Sequence, residues 1–324
     1  MNTATSGTDA SGHVPVMLDE VREFLAPALE VAGAVFVDAT LGRAGHTMAL
    51  LADHRRLTVI GIDADQTAIE ASRRLLHDEL DRVTLVHAVY DQIPSVLADL
   101  GIRGVQGFLF DLGVSSPQLD EPERGFSYSQ DAPLDMRMNR EGPLTAAEVV
   151  NTYPAARLAR VLADYGEERF ARRIAEALVR ERQRSPVTST ARLADIVRDS
   201  IPAPARRTGG NPAKRTFQAL RIEVNDELGA LGRAVPAALD ALAVGGRIVV
   251  LAYHSLEDRI VKREFARRAT DSTPPGLPVP LASARPQFKL LTSGAKRPDQ
   301  AELAVNPRAA SARLRAAERV RAAA

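Results

Sequence analysis

Asp38-Ala-Thr-Leu-Gly42-Arg-Ala-Gly45-His46 closes the apolar run Ala34–Ala39 (AVFVDA) and passes directly into an alanine- and leucine-bearing helix reaching about Ala52. A short apolar run bounded by glycines suits a buried parallel strand. Glycines let the backbone turn tightly and approach a ligand at the helix N-terminus. An ordinary strand-to-helix turn would use the same glycines, so the loop alone decides little. Its acids decide more. Asp38 stands at the strand's own end. Asp63 ends a second apolar run, Leu57–Asp63 (LTVIGID), about 25 residues later, near the ~20-residue spacing of a ribose-binding acid.

Outward from this loop, strand and helix signals alternate. A helix is expected over Gln66–His77, a third strand at Val83–Val89 (VTLVHAV), a helix around Ser95–Leu100 and a fourth strand at Val105–Asp111 (VQGFLFD). Such alternation implies a parallel, doubly wound α/β sheet. It stops at about residue 115. From there to 208 the chain reads as loops and helices, with a capping box at Thr145–Glu148, a glycine stop at Tyr165-Gly166 and helices over Glu167–Arg184 and Ala191–Ser200. Such a stretch between two strands of one sheet reads as an inserted helical domain. A largely helical segment, Thr216–Leu242, then leads to a fifth strand, Arg247–Tyr253 (RIVVLAY). A helix over Ser255–Arg268 follows, with Ser255 and Asp258 as its capping box, and then weaker strand signals at Phe288–Thr292 and Arg313–Ala317. The expected organisation is a tail over 1–12, a discontinuous sheet domain over 13–114 and 209–324, and the helical insert over 115–208.

The 324 residues are 45% hydrophobic and 26% charged with no cysteine, which suits a soluble protein and excludes disulfides, thiolate nucleophiles and cysteine metal sites. No apolar run is long enough to span a bilayer, and residues 1–12 lack the character of a signal peptide. A cytoplasmic protein without membrane partners is expected. The six histidines show no ligand-like spacing, so no metal site is expected. Net charge is only +1, but arginines crowd 157–184, 206–215 and 285–321. The first group is interleaved with glutamates, as on a solvated helix face. Arg206, Arg207, Lys214, Arg215 and the basic tail look more like a footprint for phosphates.

Electrostatics chooses among nucleotide-type cofactors. A carboxylate at Asp38 beside the turn would repel a pyrophosphate, whereas a sulfonium and an α-ammonium would be attracted. The glycines at 42 and 45 also miss the G-x-G-x-x-G spacing, and no glycine-lysine-serine or glycine-lysine-threonine follows the strand. S-adenosylmethionine therefore fits better than a nicotinamide dinucleotide. Tyr90 and Asp111 fall at the same carboxyl edge of the sheet. Tyr90 could pack on an adenine or in the core. Asp111, closing an apolar strand, must be solvated or work in the crevice.

Longer motifs add a family resemblance. His13-Val-Pro-Val-Met17, Asp111-Leu-Gly-Val-Ser-Ser-Pro-Gln118, Glu123-Arg-Gly-Phe-Ser127, Pro133-Leu-Asp-Met-Arg-Met138, Tyr165-Gly-Glu-Glu-Arg-Phe170, Arg215–Ile222 (RTFQALRI), His254–Lys262 (HSLEDRIVK) and Asn306-Pro-Arg308 stand in order along the chain. Together they resemble the RsmH (MraW) family of 16S rRNA (cytosine-N4)-methyltransferases. The resemblance implies a class I, Rossmann-like S-adenosylmethionine methyltransferase sheet with an inserted helical domain. It places cofactor contacts on Ala44, Gly45, His46, Asp63, Tyr90, Asp111 and Gln118. Ala44 stands where the family more often has glycine, which is tolerable provided its φ is negative. Tyr90 stands where phenylalanine is frequent, and either ring offers an aromatic face.

The implied product is an N4-methylated cytidine in the decoding centre of the small ribosomal subunit, and the implied partner is 16S rRNA within that subunit. A homodimer is compatible with the sequence, which does not fix the oligomeric state. The exocyclic amine of cytosine is a poor nucleophile, so orientation and electrostatic placement must supply most of the acceleration. The base must also leave its stack. Ser115, Ser116 and the Pro117 carbonyl could accept the amine protons, or could simply form the turn before the proline. His254, where the fifth strand meets a helix, could contact the base or relay a proton. Alternatively Ser255 caps the helix and His254 is a solvated loop residue.

Overall fold

The computed structural model describes residues 15–114, 116–206, 211–271, 273 and 284–322, without the side chains of 116 and 117. The expected tail over 1–12, Ser115 and Arg207 lie outside these residues. The chain divides into two compact units, residues 1–113 with 229–324, and residues 114–228.

In the first unit, α1 (Leu18–Leu29) precedes β1 (Val35–Asp38), α2 (Gly45–Asp53), β2 (Thr58–Asp63), α3 (Gln66–Leu75), β3 (Val83–His87), α4 (Ile93–Asp99) and β4 (Val105–Asp111). The second unit carries α5 (Ser116–Asp120), α6 (Ala146–Thr152), α7 (Ala155–Gly166), α8 (Ala171–Arg182), α9 (Thr190–Ser200), α10 (Ala203–Arg206) and α11 (Lys214–Asn225). Then come α12 (Glu227–Ala241), β5 (Leu242–Ala252), α13 (Ser255–Ala269), β6 (Phe288–Leu290), α14 (Gln300–Val305) and β7 (Arg313–Arg319).

The sheet order is β3-β2-β1-β4-β5-β7-β6. β1 to β5 pair in parallel, and β7 runs antiparallel to both β5 and β6. This is the class I methyltransferase sheet implied by the resemblance. Residue alternation explains why it is covered twice. Val37, Phe108, Phe110, Ile248 and Val250 face a core closed by Leu97 of α4, Leu239 of α12 and Phe265 of α13. Phe36, Leu109, Val249 and Leu251 face the opposite core, with Leu25 of α1, Leu50 of α2 and Ile69 of α3. The weak strand signals near the C-terminus are real strands. Arg319 helps fix β7, its guanidinium donating to the carbonyls of Asp240 (2.9 Å) and Leu242 (2.5 Å).

The second unit has its own core, from Val149, Leu162, Ile174, Leu178, Leu193 and Phe217 among others. It extends further than expected. Lys214–Asn225 packs on α7 within this unit, which therefore runs to Leu228 rather than ending at 208. Its apolar face (Phe217, Leu220) points into the helical core. The expected single helical stretch after residue 216 is broken at Asp226, which adopts φ 47° between α11 and α12.

Gly166 also acts differently from the expected helix stop. It is the last residue of α7, and Glu167 takes the left-handed position at φ 47°. What demands glycine at 166 is proximity, since a Cβ there would lie 2.6 Å from the Arg215 carbonyl oxygen of α11. Gly166→Ala should therefore lower the unfolding free energy by about 1–3 kcal/mol, the cost of overpacking. Gly232→Ala, in α12 with open space around the added methyl, should raise it by up to ~1 kcal/mol through helix propensity. Urea titrations of both variants check the pair.

Candidate active site

The strand order reverses at β1, whose two neighbours are β2 and β4. Ligands of open α/β sheets bind beyond the strand carboxyl ends at such a point. Three carboxylates end the strands there: Asp38 on β1, Asp63 on β2 and Asp111 on β4. The loop after β1 is pinned over them. The Ala39 amide donates to Leu109 O and the Leu41 amide to Ile62 O, each at 2.9 Å. Asp63 Oδ2 accepts from the Gly42 amide and Oδ1 from the Asp65 amide, both at 2.8 Å. Gly42 sits at φ 53°, so here glycine does serve the turn.

Asp38 is 2% exposed and accepts from Thr47 Oγ1 at 2.8 Å and the Thr40 amide at 3.3 Å. Burial pushes its carboxyl up to about 6, against the pull of His46 and these donors. Burial likewise pushes Asp63 up to about 6, against its two amide donors. Folded carboxyls with raised pKa hold protons that the unfolded chain has released. Their stabilising contribution is present below about pH 4 and is lost as pH rises through about 6. At neutral pH the fold thus keeps two costly charges next to one loop.

Within that loop, Ala44 overturns one expectation. It is the N-cap of α2 with φ 58° and ψ 23°, in the left-handed region where a negative φ was required. Surroundings impose this: the side chain is wholly buried, its amide donates to Leu41 O at 2.7 Å, and its carbonyl accepts from the Met48 amide at 2.8 Å. Gly45, by contrast, has no positive φ. Glycine is needed there because a Cβ would come 2.6 Å from Pro15 Cγ. His46 is buried, its Nε2 donating to Val16 O at 3.0 Å and its Nδ1 lying 3.8 Å from Asp111 Oδ2.

The other expected positions are less uniform. Tyr90 lies beyond the end of β3, in a 3₁₀ turn over Tyr90–Gln92, and meets Phe110 edge-on at 5.9 Å. Gln118 lies on α5 in the second unit and is 5% exposed. Ser115 lies outside the described residues, and of Ser116 only the backbone, at the start of α5, is described.

His254 fits neither expected alternative in its simple form. It, rather than Ser255, is the N-cap residue of α13. Glu257, not Asp258, completes the turn, its Oε2 accepting from the amides of Tyr253 (2.7 Å) and His254 (3.1 Å). The His254 side chain is only 10% exposed, so it is not a solvated loop residue. Its Nε2 stands 3.1 Å from Glu257 Oε1, and neither ring nitrogen makes a hydrogen bond among the described residues.

Two residues escaped sequence reading. Tyr253 donates its hydroxyl to Asp111 Oδ1 at 2.6 Å, and Thr40 Oγ1 accepts from the Asp111 amide at 2.6 Å. The pairing follows from β5 lying beside β4, which puts their ends together. Several expected phosphate-binding arginines are occupied within the protein. Arg206 Nε donates to Ile201 O, Arg215 to Glu167 O, and Arg315 to Asp258. Lys214 is exposed. Among the described residues, no group of three or more histidines and acids could hold a metal ion, and no helix is long and apolar enough to cross a membrane.

A profile of the MraW methylase family matches residues 10–320. The chain belongs to that family. Relatives named ribosomal RNA small subunit methyltransferase H include one from Thermobifida fusca, 63% identical over 97% of this chain and 96% of its own. Another, from Frankia alni, is 64% identical over 95% of each. Among solved structures, an rRNA methylase from Streptococcus thermophilus is 13% identical, covers 95% of this chain and 99% of its own, and has a TM-score of 0.42. As a methylase of the family with the class I sheet, the protein is an enzyme and draws its methyl group from S-adenosylmethionine.

The strained loop offers a direct test. Ala44→Gly relieves a left-handed alanine worth about 1–2 kcal/mol, partly offset by the ~0.4–1 kcal/mol of extra freedom glycine gives the unfolded chain. The net expectation is stability equal to the parent or up to ~1 kcal/mol higher. Ala44→Val, β-branched in the same conformation, should lose more than ~2 kcal/mol. Equilibrium unfolding of the two variants measures both.

Proposed function

We propose that the protein methylates the exocyclic N4 of a cytidine in the decoding centre of 16S rRNA, within the small ribosomal subunit. The relatives' names and the motif resemblance support the substrate. The observation that carries the chemistry is the trio of strand-end carboxylates at the point where the sheet reverses. Burial already makes charge costly on Asp38 and Asp63. A ligand bringing hydroxyl donors and positive charge, rather than phosphates, offsets that cost.

In this reading Asp63 accepts ribose hydroxyls through the lone pairs its two amide donors leave free. Ala44, Gly45 and His46 present the N-terminal turn of α2, and Tyr90 packs on the adenine. Asp111 receives the cationic part. Gln118 enters by resemblance alone. Bound S-adenosylmethionine supplies an electrophilic methyl group. The chain's own residues must hold the amine in line with it, exclude water and take up a proton. Ser115 and Ser116 are proposed as hydrogen-bond acceptors for the amine. His254, with two ring nitrogens free of hydrogen bonds among the described residues, is proposed to contact the base or relay its proton. The helical unit is proposed as the part that recognises RNA, with Lys214 and other exposed cations on phosphates. The enzyme works in the cytoplasm.

Small subunits lacking the modification, incubated with labelled S-adenosylmethionine and followed by nucleoside mapping, test the function. Label is expected on an N4-methylated cytidine of 16S rRNA, and label in protein or DNA instead would sink it. In the same assay, His254→Ala should slow single-turnover methylation by about 10²-fold or more if it moves a proton. A rate within a few-fold of the parent removes that role.

Cofactor affinity should also follow the two raised carboxyls. Below about pH 6 each is increasingly protonated and unfit to accept or attract. The Kd for S-adenosylhomocysteine should therefore rise on the order of tenfold or more between about pH 7.5 and 5, as the competent fraction falls. Calorimetry giving a flat profile over that range contradicts the assignment of Asp63.

A further inference from the structure

Asp111 is a carboxylate whose aim is set from outside its own strand. Its amide donates to Thr40 Oγ1, so its backbone is fixed by the loop after β1. Its side chain, 25% exposed, has Oδ1 at 2.6 Å from the Tyr253 hydroxyl and Oδ2 at 3.8 Å from His46 Nδ1. Tyr253 is itself held. Its amide donates to Glu257 Oε2 at 2.7 Å, and its ring rests over Gly113. A Cβ at 113 would come 3.3 Å from Tyr253 Cδ2, and Gly113 adopts φ 102°, so this residue gives the ring its place. Burial and the nearby Asp111 charge keep the phenol protonated, its pKa well above the ordinary value. The hydroxyl therefore acts as a permanent donor.

We propose that Tyr253 is a positioning residue for cofactor binding, its hydroxyl fixing the Asp111 carboxylate in the orientation that receives the cationic part of S-adenosylmethionine. The proposal rests on the reading that Asp111 holds the cofactor. One oxygen is committed to the phenol, so the carboxylate cannot swing freely about its terminal torsion. The charge then meets its ligand preorganised. Phenylalanine at 253 keeps the ring over Gly113 and removes only the donor.

A double-mutant cycle distinguishes this role from general support of the fold. Kd for S-adenosylhomocysteine would be measured by calorimetry for the full chain, Tyr253→Phe, Asp111→Asn and the double variant. Tyr253→Phe should weaken binding about tenfold or more, in keeping with loss of a hydrogen bond to a charged group. Asp111→Asn should weaken it at least as much, and the double variant should bind no worse than Asp111→Asn alone. Losses that multiply in the double variant, or a Tyr253→Phe affinity within twofold of the parent, overturn the proposal. If Asp111→Asn binds like the parent, the reading of Asp111 as a cofactor residue fails first and the proposal falls with it.

Discussion

The Asp63 carboxylate, partly buried and accepting the amides of Gly42 and Asp65, is the constraint on which the site depends. One side chain ties the loop after β1 to the loop after β2. Its burial costs stability at neutral pH, and its two amide donors return only part of that cost. The same carboxylate keeps Gly42 in its left-handed turn, which lets the chain enter α2 immediately afterwards. Asp38, beneath the loop, repeats the pattern with Thr47 and Thr40. In the proposed reading a cationic ligand above these carboxylates offsets charges that are unfavourable in the fold alone, the usual trade between stability and activity.

Much of the sheet could be read from the chain because strands and helices each announce themselves locally. Runs such as Leu57–Asp63 and Val105–Asp111 are apolar along their length, as strands covered on both faces must be. The acids ending these runs stand at the carboxyl ends of β2 and β4. Less could be read where a conformation or contact is imposed from a distance. The positive φ of Ala44 is fixed by buried neighbours and loop hydrogen bonds, against its own preference. The shift of the α13 cap from Ser255 to His254 depends on Glu257 turning back to two amides, where a serine-first rule favours the wrong residue.

Tyr253 illustrates a second limit. In sequence it closes an ordinary apolar strand beside a more conspicuous histidine. Only the pairing of β4 with β5 reveals that its hydroxyl belongs to Asp111. The arginines show the converse. A basic cluster suggested a phosphate footprint, yet Arg206 and Arg215 spend donors on the carbonyls of Ile201 and Glu167. Helix ends and left-handed turns leave such carbonyls without partners, and a guanidinium is well shaped to satisfy them.

The pairing of β4 with β5 also bears on how the chain acquires its structure during synthesis. The two strands are neighbours in the sheet but about 140 residues apart along the chain. A ribosome emitting the protein releases β1 to β4 first, then the helical unit with its separate core, and only later the strands that cover the edge of β4. Until then Phe108 and Phe110 lie in a border strand whose open amides and carbonyls invite pairing with other chains. The long interruption between strands therefore creates an interval in which one edge of the nascent sheet stays uncovered.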